Sequence, residues 1–118
     1  MHQRVIISAL ALAALASMAG CAPDAIRSAQ ATGFNGYVNT LKTACPNIQI
    51  GASNVGLWLQ YGGGTTNDYD YWLDMTSKLY YRRVSPAEYR SAVGAQLGPG
   101  TSNDRAFDCI IGQRPPPS

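Results

Sequence analysis

The stretch from Asn67 to Val84 constrains the fold of this chain most. Tyr69, Trp72, Leu73, Thr76, Leu79 and Tyr80 recur at the spacing of one helix face. Asp68, Asp70 and Asp74 sit towards the start of the stretch, and Lys78, Arg82 and Arg83 towards its end. That order complements the helix dipole, and Asp74 and Lys78 form an i,i+4 pair. The spacing predicts a helix, and a helix with so wide an apolar stripe needs other elements to cover it.

Its neighbours are written in the same code. Ser85-Pro86-Ala87-Glu88 has the form of a capping box with Pro at the first helical position. It opens a helix carrying Tyr89, Ala92, Val93 and Leu97, stopped by Gly98-Pro99-Gly100. Thr101 or Ser102 then starts a last helix with Ala106, Phe107, Ile110 and Ile111 on its buried face, followed by a Pro-rich tail over 113–118. Upstream, Phe34, Tyr37, Val38, Leu41 and Cys45 predict a helix from about Ala25 to Ala44, ended by Pro46. Gly33 and Gly36 weaken it and allow a break near Thr32. From Asn47 to Tyr61 two readings stand. Ile48 and Ile50 alternate as in a short strand, and Leu57, Leu59 and Tyr61 would also suit one, whereas Ser53 is placed to cap a short helix carrying Val55, Trp58 and Leu59. The helix is the preferred reading. Gly62-Gly63-Gly64-Thr65-Thr66 is a loop. The expected class is mainly α, with four or five helices.

The N-terminus obeys different rules. Arg4 precedes an apolar run from Val5 to Ala16, and the small residues Ala19 and Gly20 lead into Cys21. A charged start, an apolar core and small residues before a cut are the parts of a secretory signal peptide. With Cys21 directly after the cut, Met18-Ala19-Gly20-Cys21 resembles the lipobox of bacterial lipoproteins, with Met18 where Leu is usual. The resemblance implies a signal peptide over 1–20 and diacylglycerol on the Cys21 thiol. It also implies acylation of the new N-terminus, a short tether over 21–25 and a helical domain over 26–112. Several acyl chains together give stable anchoring in a membrane. Ala22, rather than Asp, after the cysteine implies the periplasmic face of the outer membrane. The rival readings are an ordinary secretory signal and an uncleaved membrane helix from Val5 to Ala22. Gly20 and Pro23 count against the second.

Removing twenty of the 118 residues leaves 98, enough for one modest core. Without Arg4 the mature chain has eight Lys or Arg against seven Asp or Glu, far from the basic face that nucleic acid requires. Once Cys21 is lipidated, Cys45 and Cys109 remain, and an even pair in an oxidising compartment reads as one disulfide closing the domain. The competing reading is a pair of reactive or metal-ligating thiols. It lacks Cys-x-x-Cys spacing and any mature histidine.

The only histidine, His2, goes with the signal, so Ser-His and Cys-His catalysis are unavailable. Asp68, Asp70 and Asp74 read as a helix N-terminus rather than a calcium loop. Gly62–Gly64 lacks the pattern of a phosphate-binding loop. No enzyme and no cofactor is expected. Trp58, Tyr61, Trp72 and Tyr81 are an aromatic surplus for so small a domain. Exposed Tyr and Arg are the residue types of binding hot spots, which makes Trp58, Tyr61, Tyr81, Arg82 and Arg83 the candidate partner-binding residues. In general plan the chain resembles pilotins and other secretion accessory lipoproteins: an acylated cysteine, a small helical domain and a disulfide. That likeness implies a non-catalytic protein-binding or assembly accessory factor of the cell envelope. The alternative from the same side chains is peptidoglycan or small-ligand binding.

Overall fold

A computed structural model describes residues 33–117, so Cys21, the lipobox, the tether and the first residues of the expected first helix lie outside the described residues. The described chain is mainly helical. Helix α1 covers residues 33–44, α2 Val55–Tyr61, α3 Asn67–Tyr80, α4 Pro86–Leu97 and α5 Asn103–Gly112. Helix α3 packs against α4, and α4 against α5.

Each helix places its apolar stripe in one core. Trp72, Met75 and Leu79 of α3 meet Tyr89, Val93 and Leu97 of α4 there, with Ala106, Phe107 and Ile110 of α5. Tyr37, Leu41 and Cys45, at i, i+4 and i+8, are the buried line of α1. Two ties join that line to α5. Cys45 and Cys109 form a disulfide, and the Tyr37 hydroxyl donates to the Ile110 carbonyl at 2.5 Å.

The helix ends show which local signals held. Ser85 and Glu88 make both halves of the capping box, with Pro86 at the start of α4. Replacing Ser85 with Ala orphans an amide at that helix start, and a loss of about 1 kcal/mol in thermal unfolding is expected. Other ends differ from expectation. Asn54, not Ser53, caps α2, its side chain accepting from the Leu57 amide at 3.0 Å. Ile48 and Ile50 are buried but form no strand. Ile50 and Ser53 exchange backbone bonds of 3.0 and 2.9 Å across a tight turn, and the Ile48 carbonyl accepts from Gly56. Helix α3 stops at Tyr80 rather than Val84. Arg82 turns left-handed at φ 59°, while the Arg82 and Arg83 amides bond back to Leu79 and Lys78 at 3.2 and 2.8 Å. This is a Schellman stop with arginine where glycine is usual.

Ser102 precedes α5 without a side-chain cap bond. Asn103 acts across the fold instead. Its Oδ1 accepts from the Gly51 amide at 2.8 Å and its Nδ2 donates to the Gly98 carbonyl at 2.9 Å. One amide thus ties the loop before α2 to the end of α4 and the start of α5.

Two buried hydroxyls complete the core. The Thr76 hydroxyl lies 2.6 Å from the Trp72 carbonyl and 2.8 Å from the Tyr89 hydroxyl. Burial pushes the Tyr37 and Tyr89 phenols well above their ordinary value of 10.0, opposed by Arg114 near Tyr37 and by the Thr76 bond at Tyr89. Both stay neutral in the fold, whereas in the unfolded chain they ionise near pH 10. Stability is therefore fully present below that value and is lost as pH rises above it. Each tyrosine then costs about 1.4 kcal/mol per pH unit until its folded value is reached. Urea melts from about pH 8 to about pH 11 check this, and Tyr37→Phe should roughly halve the slope.

Candidate functional site

Helix α2 divides its side chains by a simple rule. Val55 and Leu59, at i and i+4, are buried in the core. Leu57 and Tyr61, also at i and i+4, lie on the other side and are 52% and 85% exposed, the only large hydrophobic residues so exposed among the described residues. Trp58 lies between the two faces, half-buried, with its ring 5.6 Å from Tyr69 and 5.9 Å from Trp72. Gly56 explains how the helix sits so close. A Cβ there would fall 2.8 Å from the Asn47 backbone nitrogen, so α2 lies directly on the chain that precedes it. On the far side, Gly63 lies under the Tyr69 ring, where a Cβ would come within 2.0 Å. The glycine loop is a packing surface for Tyr69 at this point, and Thr66 at its end caps α3.

The candidate residues do not form one site. Trp58 and Tyr61 belong to the α2 face. Tyr81, Arg82 and Arg83 follow the last turn of α3. Tyr80 stands eleven positions after Tyr69, which lies beside Trp58, and that is about 16 Å along the helix. Trp72, part of the expected aromatic surplus, is 1% exposed and belongs to the core, so it is not available to a partner.

The α3 end has structural work of its own. Tyr80 stacks on Tyr37 at 5.4 Å, and Phe34 lies 5.9 Å from Tyr80 and 6.3 Å from Tyr81. Partial burial and the neighbouring Tyr80 push the Tyr81 phenol up, against the pull of Arg83. Arg82 donates to the Pro115 carbonyl at 2.6 Å, and Arg114 to the Leu79 carbonyl at 3.3 Å. These two guanidinium groups hold the Pro-rich tail against the end of α3. Asp74, from the acidic start of that helix, pairs with Lys78 at 2.9 Å.

Leu57 is not among the partner-binding candidates read from the sequence, although the signal was there. Once α2 is a helix with Val55 and Leu59 inward, Leu57 must share the outer face with Tyr61. The stretch of chain that carries that face is free of charge. No Asp, Glu, Lys, Arg or His occurs from Thr43 to Asn67. Beyond it, the Asp68 carboxylate accepts from the Gln96 amide at 3.3 Å.

Among the described residues no helix is long and apolar enough to cross a membrane, and no group of three His, Cys, Asp or Glu is arranged to hold a metal ion. Compared with protein-family models, curated proteins and solved structures, the chain matches none.

Proposed function

We propose that this chain is a lipoprotein anchored through Cys21 to the periplasmic face of the outer membrane. In this reading its helical domain is a non-catalytic protein-binding or assembly accessory factor, and the outer face of α2 is its contact surface. The observation that carries the reading is the exposure of Leu57 and Tyr61, one turn apart, with Trp58 beside them. Exposed apolar groups of this kind mark interaction sites when they are contiguous, and Tyr and Trp dominate binding hot spots. Tyr81 and Arg82, which precede Arg83 after the end of α3, support it less, because part of their surface already serves the aromatic cluster and the tail.

The test is in-cell cross-linking of the full-length chain, with Leu57→Glu and Tyr61→Ala beside the parent. Partner recovery should fall by roughly thirty-fold for a hot-spot residue. Thermal unfolding should move by no more than about 0.5 kcal/mol, since neither side chain is in the core. Undiminished recovery from both variants would remove α2 as the contact surface. Specific retention on purified peptidoglycan, with no cross-linked protein, would replace the reading with cell-wall binding. Mass spectrometry of the mature N-terminus tests the anchor separately, since an unacylated Cys21 excludes it.

A further inference from the structure

The charge-free run around α2 says what kind of surface can cover it. At the chain's 14% content of charged residues, the 25 positions from Thr43 to Asn67 would carry about three or four. They carry none. Burial does not account for this, because most of the run is exposed: Gln49, Asn54, Gln60, Thr65 and Asn67 all face solvent. Exposed helix and loop positions are where charges ordinarily sit. Leu57 and Tyr61 are the large apolar residues exposed in this run, whose other exposed positions are amides, hydroxyls and small residues. An interface core has this composition, with charge depleted and aromatic groups enriched, while charge belongs to its rim.

Resting on the reading of α2 as a protein-contact surface, we infer that the segment of the partner seated on Leu57 and Tyr61 is itself uncharged and apolar. A charged side chain pressed there would lose its water and find no counter-charge within the run, the costly case of an unpaired buried ion. A neutral segment loses nothing of the kind, and Gln60 offers it an amide donor and acceptor at the edge of the apolar centre. Two consequences distinguish this contact from an electrostatic one. Association is insensitive to salt, because the run supplies no charge to a pair that salt could screen. It also lacks the steering that speeds encounters between oppositely charged surfaces.

The experiment uses the full chain in cell envelopes, with a benzophenone amino acid replacing Tyr61, irradiated at about 50 mM and about 500 mM salt. The expected adduct joins one envelope protein through a segment with no Asp, Glu, Lys or Arg within a helical turn of the attachment. Its yield should stay within about two-fold between the salts. An adduct on a charged segment, or a yield that falls several-fold with salt, overturns this inference and leaves α2 as a protein-contact surface. An adduct on phospholipid, on a second copy of the chain or on nothing overturns both. The same probe at Arg83 is the control, because that position lies outside the neutral run and should not give the same attachment.

Discussion

The double variant Cys45→Ala/Cys109→Ala should unfold with about 4 kcal/mol less stability than the parent, a fall in melting temperature on the order of 20 °C. The bridge spans 64 residues, from the end of α1 to the middle of α5. Opening it returns to the unfolded chain the freedom of a loop that takes in α2, α3 and α4. The chain-entropy relation sets the figure for a loop of that length. A small domain has about 5–15 kcal/mol in total, so the reduced form stands close to the threshold of folding. The Tyr37 bond to Ile110, which also joins α1 to α5, is a neutral hydrogen bond worth about 1 kcal/mol. Thermal melts with and without reductant check this, together with a count of alkylatable thiols. An unchanged melt with both thiols alkylated would show that the α1–α5 packing holds without the bridge.

Gly51→Ala is expected to cost about 3 kcal/mol or more, although it adds a single methyl group. Two separate penalties add. Gly51 has φ 58°, where a Cβ costs about 1–2 kcal/mol. That Cβ would also fall 2.1 Å from the Leu97 carbonyl oxygen, a backbone atom at the end of α4 that no side-chain rotation can move aside. Relief requires the turn to lift off α4, which breaks the Gly51 bond to Asn103 and with it the junction of three elements. Gly36→Ala is the control. Its Cβ meets nothing within 4 Å on an exposed helix position, so it should stabilise by up to about 1 kcal/mol. Urea unfolding of the two variants side by side gives opposite signs for the same chemical change. Equal effects would sink the backbone-contact explanation.

Short-range signals were the legible part of this chain. The capping box at Ser85 appears as written because it involves only the first turn of one helix. The stripes of α3, α4 and α5 read correctly because one periodicity serves a single packed face. The less legible features are those where a distant group decides the local outcome. Asn103 carries no local signal that sets it apart, yet it serves Gly51 and Gly98. Arg82 read as a candidate binding group, and the fold gives it a second part, ending α3 in a left-handed turn and holding the tail. Trp72 counted as part of an aromatic surplus, and packing buries it in the core beside Trp58 and Tyr69.

By itself the sequence determined the helical class, the order of the helices and the pairing of Cys45 with Cys109. The reason is that periodicity, caps and an even cysteine pair are local or countable properties. Only the tertiary structure decided which aromatic groups remain outside. Exposure belongs to a surface after its neighbours are placed, and for α2 those neighbours are α3 and the loop before it. Packing buries Val55 and Leu59, leaves Leu57 and Tyr61 outside, and places Tyr81 and its arginines at the far end of α3. Five candidate residues thereby became two surfaces, with the apolar one lying wholly within the charge-free run.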